Sequence, residues 1–207
     1  MKIKSFKVVF IFALIISIIG ICVIGYILNL KSGIEDNVLR LHIVGASDSE
    51  YDQNVKLCVR DRILSEFSDD FSSCTSLSQS EELFYSKKSE IEKAANDELL
   101  KHNCDYGATA ELSKCRFPTK DYNGISLPSG IYTAVNIKLG NADGHNWWCV
   151  MYPPLCITEN SISISDESKE KLKSVLSADE YTLICQSTKN DVKIKFKIAE
   201  ILGKYFR

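Results

Sequence analysis

Asn146-Trp147-Trp148-Cys149-Val150-Met151-Tyr152-Pro153-Pro154-Leu155-Cys156 gathers both tryptophans and two of the four prolines of this 207-residue chain into one run. From Asn146 to Tyr152 the residues are aromatic, β-branched or soft apolar, a composition that suits a strand buried on at least one face. Pro153-Pro154 must end it, because neither proline donates a ladder hydrogen bond and the first pushes Tyr152 toward extended geometry. Alternation puts Trp147, Cys149 and Met151 on one face and Trp148, Val150 and Tyr152 on the other. Two readings of the tryptophans stay open: both are core residues of a central strand, or one packs inward while its neighbour is presented to a partner.

Working outward, Gly140-Asn141-Ala142-Asp143-Gly144 lies just before this run and can reverse the chain, and Ile131, Thr133, Val135, Ile137 and Leu139 alternate as the inward face of a preceding strand. The pair is expected to form an antiparallel hairpin. Further back, Ala108, Ala110 and Leu112 read as a half-buried strand, with Cys115 and Phe117 on the opposite parity, which predicts a bulge near Ser113-Lys114. Pro118 to Gly130 is an irregular connection with turn signals at Asn123-Gly124 and Pro128-Ser129-Gly130.

Two helices are expected in the region before residue 108. Val55, Cys58, Val59, Ile63 and Phe67 recur at helical spacing with Lys56, Arg60, Asp61 and Glu66 on other sides, behind two candidate caps, Ser47-x-x-Glu50 and Ser49-x-x-Asp52. Asp69 to Ser80 reads as a serine-rich loop, and Ser78-x-x-Glu81 as the cap of a second helix whose apolar face carries Phe84, Ile91, Ala95 and Leu99. Val38 to Val44 is a strand with Leu39, Leu41 and Ile43 on one face. After Cys156, Ser165 to Leu176 looks helical, Tyr181 to Cys185 looks like a strand, and Asp191 to Phe206 like a basic strand-to-helix segment. The order indicates one α+β domain, with helices packed on an antiparallel or mixed sheet, over residues 38–207.

The first thirty residues are different in kind. Lys2, Lys4 and Lys7 precede Val8 to Leu30, an uncharged apolar span about 34 Å long as a helix, enough to cross a hydrocarbon core of about 30 Å. The basic flank places Met1 to Lys7 inside and the body outside, so residues 1–30 are a signal or anchor segment and 31–37 a short polar linker. No Ala-x-Ala site follows the long apolar run, which favours a retained anchor over a cleaved signal. Without the three leading lysines the body has 22 basic against 27 acidic residues, about five net negative charges, which argues against nucleic acid as a partner.

Seven of the eight cysteines lie in the exported body. Cys149 and Cys156 would stand about 23 Å apart in extended chain, and a disulfide needs α-carbons roughly 4.4–6.8 Å apart. Only a reversal at Pro153-Pro154 could join them; the alternative is two buried thiols. A zinc site using His145 and Cys149 fails because four residues of strand span about 13 Å. Asn141-x-Asp143-x-His145 lacks the glutamate of a calcium loop and reads as a turn. Cys149 with His42 or His145, or Ser47 or Ser49 beside Asp48 and Asp52, could in chemical terms form a nucleophile and base, but neither a nucleophile elbow nor a papain-type cysteine context surrounds them. His42 reads as a satisfied strand histidine, and Asp48, Asp52, Arg60 and Asp61 as caps and surface ion pairs.

Two stretches resemble a known family. Leu39-Arg40-Leu41-His42-Ile43-Val44 with Ser47-Asp48-Ser49, Asp52-Gln53, Lys56 and Val59-Arg60-Asp61 resembles the N-terminal signature of the stage II sporulation protein R family. Asn146-Trp147-Trp148-Cys149-Val150 with Pro153-Pro154-Leu155-Cys156 resembles its central one. Phe117-Pro118-Thr119, Tyr122 and Pro128-x-Gly130-x-Tyr132-x-Ala134 also fit, and Phe196-Lys197-x-x-Glu200 fits more weakly. Gly45-Ala46 departs from the usual Ala-Asn pair. The resemblance implies a non-enzymatic signal, without cofactor, exported across the forespore membrane into the intermembrane space. There family members trigger a membrane-embedded aspartic-type protease, of the stage II sporulation protein GA type, which cleaves the precursor of sigma factor E. The competing reading is an extracytoplasmic, membrane-anchored hydrolase acting on cell wall or peptide. The expected contact set for the protease is Arg40, Asp48, Asp52 and Arg60, taken as exposed, together with Trp147 or Trp148.

Overall fold

The computed structural model describes residues 2–122, 124–156 and 166–186. Among these residues, α1 (Lys2–Asn37), β1 (Leu39–Val44), α2 (Glu50–Ser73), α3 (Leu77–Lys101), β2 (Ala108–Phe117), β3 (Lys120–Tyr122), β4 (Ile125–Leu127), β5 (Gly130–Leu139), β6 (Asn146–Tyr152), α4 (Asp166–Val175) and α5 (Ala178–Gln186) follow in order. The expected α+β class and mixed sheet are present. The segment from Asp191 to Phe206 lies outside the described residues.

The main sheet has the order β2-β5-β1-β6, and β3-β4 form a separate pair. β1 runs parallel to β5 and antiparallel to β6. The expected hairpin between β5 and β6 is therefore split, with β1 inserted between its arms. Leu39, Leu41 and Ile43 are fully buried and so is Arg40, which makes β1 a central strand covered on both faces and gives it no place at an edge. The connection 140–145 bridges over the end of β1. Its backbone is tied to Gly45 and Ala46 through Gly144 N to Gly45 O at 2.9 Å, Asp143 N to Ala46 O at 3.3 Å and Gly45 N to His145 O at 3.3 Å.

β2 pairs with β5 in unbroken register from Ala108↔Leu139 to Phe117↔Gly130, so the expected bulge is absent. The change of parity has another cause. Ala108 and Ala110 are buried on one sheet face, whereas Phe117 at the other end is buried on the opposite face, under side chains of β1 and β6. A register shift does occur in β6, between Leu39 and Arg40 of its partner, and it sets Tyr152 opposite Leu39 and off the Trp148 face.

α2 and α3 pack together and onto the sheet. Ser49 caps α2 by accepting from Asp52 N at 3.1 Å, the second of the two caps read from sequence. The buried face of α2 takes in Lys56 and Arg60 beside Val55, Val59, Ile63, Leu64, Phe67 and Phe71, a wider stripe than apolar spacing shows. The helix runs to Ser73, past the start of the expected loop, and the cap of α3 is Ser76, two residues before the one read from sequence. Phe84, Ile91, Ala95 and Leu99 line its buried face as expected.

Two further elements differ from the sequence reading. Residues 31–37 continue α1 as helix and do not form a linker: Lys31 and Glu35 pair at 3.6 Å, Asn37 Nδ2 donates to Gly33 O at 2.8 Å, and Ile34 is fully buried. Tyr181 to Cys185 lies in α5 and is not a strand. Ser177 and Glu180 form a reciprocal capping box, with Ser177 N donating to Glu180 Oε2 at 2.8 Å and Glu180 N to Ser177 Oγ at 3.3 Å. α5 packs on α1 and β4, and Tyr26 Oη donates to Asp179 Oδ2 at 2.6 Å. The exposed apolar stretch of α1, from Val9 onward, is long and apolar enough for a membrane span or an export signal, and its far end is part of the folded body.

Candidate functional site

The two sequence signatures meet at the carboxyl end of β1. There the β1–α2 connection and the β5–β6 connection lie side by side, held by polar side chains as well as by the backbone bonds above. Asp48 Oδ1 accepts from His145 N at 2.6 Å and faces His145 Nδ1 at 2.5 Å. Both side chains are largely exposed, at 57% and 76%. Asp52 accepts from Tyr106 Oη at 2.5 Å and from Ser47 Oγ. These hydrogen bonds, Ser47 first and then Tyr106, hold its carboxyl below the usual carboxylate range. Gln53 Nε2 donates to Ser47 O at 2.8 Å. Lys56 Nζ donates to His145 O at 2.9 Å and to Gln53 Oε1. Burial lowers the Lys56 ammonium; Arg60 adds to that effect and Asp48 opposes it.

Gly144 permits the close approach of the two loops, since a β-carbon there would stand 2.3 Å from Ser47 O. A cleft of about 460 Å³ opens beside Asp52, lined by Ala46, Asp105, Tyr106, Gly140 and Asn141.

The contact residues expected from sequence fall into three groups. Asp48 is exposed and Asp52 half-buried at this end of the sheet. Arg40 and Arg60 were taken as exposed, and the structure corrects that. Arg40 is fully buried under the opposite sheet face, its guanidinium 4.3 Å from the Phe117 ring centre, 4.9 Å from Tyr132 and 5.7 Å from Tyr122. Its Nε donates to Cys149 O at 2.8 Å and its Nη2 to Tyr122 Oη at 2.7 Å. Arg60 is 2% exposed, lies 4.3 Å over the Trp147 ring and pairs with Asp61 at 2.7 Å. In both cases an aromatic ring replaces water around the cation, which apolar periodicity does not reveal.

Both tryptophans are half-buried, on opposite faces of β6. Trp147 covers Arg60, and Trp148 stacks on His42 at 4.1 Å and meets Phe117 edge-on at 4.7 Å. Cys149 and Cys156 are joined in a disulfide with α-carbons 5.5 Å apart across the Pro153-Pro154 turn. His145, Tyr106 and Lys56 complete the loop cluster and lie outside the contact set expected from sequence, where His145 enters only as a metal ligand or base and Lys56 only as part of the first signature. The one available hint was Gln53-x-x-Lys56, whose i, i+3 spacing puts both side chains at one end of α2.

Comparison with known proteins matches a span that includes both signature stretches, which meet in this loop knot. The family model for stage II sporulation protein R fits residues 35–162, more than half of the chain. The chain belongs to the stage II sporulation protein R family. It is 31% identical over 188 residues to stage II sporulation protein R of Bacillus subtilis (strain 168), covering 84% of this chain and 83% of that relative. No solved structure matches it. Family membership assigns the chain a role in sporulation, and the matched span contains both loops of the knot, the buried Arg40 and the Cys149–Cys156 bridge.

Proposed function

We propose that this chain is a forespore-made signal, exported into the intermembrane space, which activates a membrane-embedded aspartic-type protease of the stage II sporulation protein GA type and so causes processing of the sigma factor E precursor. What carries the reading is membership of a sporulation family together with an apolar helix that runs unbroken into the body. Such a helix, if retained, holds the body at the forespore membrane and facing the intermembrane space, across which lies the mother-cell membrane of that protease. A ligand of this kind acts by binding one state of its receptor better than another, without chemistry of its own.

The proposed contact face is the exposed rim of the loop knot: Asp48 and His145, with Tyr51, exposed in the first turn of α2, and the edge of half-buried Trp147. Asp48→Ala removes an exposed carboxylate whose bonds to His145 help tie the two loops, and is expected to cost no more than about 1 kcal/mol of stability. It should lower precursor processing in sporulating cells roughly fivefold, equivalent to about 1 kcal/mol of contact free energy. Asp52→Asn behaves differently: losing the charge that Ser47 and Tyr106 solvate should cost about 1–2 kcal/mol of stability. The two are separated by measuring thermal midpoints and processing at matched exported level. Processing that stays at the parental level in Asp48→Ala removes this rim from the contact face.

A further inference from the structure

The body touches the apolar helix before the apolar run ends. Tyr26 and Gly33 stand about two turns apart on one face of α1, and both meet the first turn of α5. Tyr26 Oη donates to Asp179 Oδ2 at 2.6 Å, and Gly33 has no β-carbon to collide with the Glu180 carboxylate. Leu30 and Ile34, on and beside the same face, are buried by the body. Tyr26 itself lies inside the uncharged run, which ends only at Lys31.

We propose that the first turn of α5, together with Tyr26, is a membrane-seating surface: it rests in the lipid headgroup layer at the outer end of α1 and holds the loop knot at the end of the body remote from that membrane. The proposal rests on the reading of α1 as a retained span.

The clearance follows from the length of the helix. Lys7 marks the inner end of the span, and from Val8 to Tyr26 a helix rises about 27 Å, against a hydrocarbon core of about 30 Å. Tyr26 therefore falls at the outer boundary, where an apolar ring with a polar tip is best placed. Asp179 comes with it, and a carboxylate stays out of hydrocarbon, so this end of α5 lies among the headgroups. Lifting the body by about 10 Å would draw Lys7 into the hydrocarbon. Lys31, the first charge after the run, reaches the headgroup layer paired with Glu35 at 3.6 Å. The α5 end needs no affinity of its own for lipid, since α1 supplies the attachment and α5 sets the spacing. Its two carboxylates are also engaged, Asp179 by the Tyr26 hydroxyl and Glu180 by Ser177 N at 2.8 Å.

The orientation follows from the strands. A single residue, Val38, separates α1 from β1, and β5 begins at Gly130, which leaves room for the Glu35 carboxylate of α1. β1 and β5 are parallel, so both central strands start at the seat. The loop knot lies at their carboxyl ends, about 17 Å farther along the sheet. A rigid seat thus turns the knot toward the intermembrane space.

The test uses the full chain reconstituted in vesicles of phosphatidylethanolamine and phosphatidylglycerol. A small fluorescent amino acid replaces either exposed Ala178, at the start of α5, or exposed Asn141, in the knot, and lipid with a nitroxide on its headgroup is the quencher. The probe at position 178 should lose most of its emission and the probe at position 141 almost none. A flexible Gly-Gly-Ser-Gly-Gly-Ser insertion between Leu28 and Asn29 parts Tyr26 from the rest of the contact, and should reduce the loss at position 178 toward that at position 141. Thermal melting shows whether the body with the insertion is folded; if it is not, the comparison of the two positions in the parental chain decides alone. Equal quenching at the two positions, stronger quenching at position 141, or a loss at position 178 that the insertion leaves unchanged in a folded body overturns the seat. Extraction of the chain from the vesicles by alkaline carbonate would refute the span, and the seat with it. Protease activation is read separately, by precursor processing.

Discussion

Arg40→Ala is expected to cost about 3–5 kcal/mol of folding stability, the sum of a large-to-small cavity in the core and two buried acceptors left without a donor. Arg40 has no carboxylate counter-ion among the described contacts. Its charge is balanced by three aromatic faces, Phe117, Tyr132 and Tyr122, and by two hydrogen bonds, to Cys149 O and Tyr122 Oη. Truncation would leave the Cys149 carbonyl and the Tyr122 hydroxyl without their donor and open a void under β3–β4. Arg40→Lys should recover little, because a point charge on a flexible stem cannot lie flat between rings and reach both acceptors. Arg40→Met should be milder than alanine, since it fills the space and removes the desolvated charge. Urea titration of each variant orders them: parental chain, then Met, then Lys and Ala. An alanine variant within about 1 kcal/mol of the parent would show that the contacts of Arg40 contribute little.

Ile34→Asp is the second large effect, expected to exceed about 4 kcal/mol because it places an unpaired carboxylate in the core. Ile34 is fully buried where the last turns of α1 meet β5 and α5. Lys31→Ala, at a surface ion pair with 22% exposure of the lysine, should change stability by less than about 1 kcal/mol. The contrast identifies residues 31–37 as part of the domain and not as a tether. If both substitutions have equally small effects, α1 does not pack as described. The same packing requires that any mature form of the body keep the segment containing Ile34.

The elements with a single strong local signal were legible in the sequence: the tryptophan strand with its proline stop, the α2 cap at Ser49, the apolar face of α3, and the Val135, Ile137 and Leu139 part of the β5 face; Ile131 and Thr133 are only half-buried, and β5 buries Tyr132, Ala134 and Asn136 on its other face as well. What was not legible depended on neighbours distant in sequence. The split hairpin is one case, since the reversal at Gly140–Gly144 is present but nothing in it says that β1 enters between the arms. Arg40 and His42 gave β1 the look of a half-exposed strand, and only the rings of Phe117, Tyr132 and Trp148 make that face a core. The β-rich Tyr181 to Cys185 became helix because packing on α1 and β4 overrode propensity. There the Ser177-x-x-Glu180 capping box was a readable signal that went unused. Of the contact residues chosen from sequence, Asp48 kept its surface position, whereas both arginines proved to be structural.

The proposed activation by contact is tested most directly by one reconstitution. The protease and the sigma factor E precursor are co-produced in a host that lacks both sporulation partners, with this chain exported at graded levels. The expected result is no processing without the chain, processing that rises with its level and saturates at stoichiometric occupancy of the protease, and none when the protease's catalytic aspartate is replaced. Processing that proceeds equally without the chain, or that continues with the chain when the protease is inactive, would contradict it.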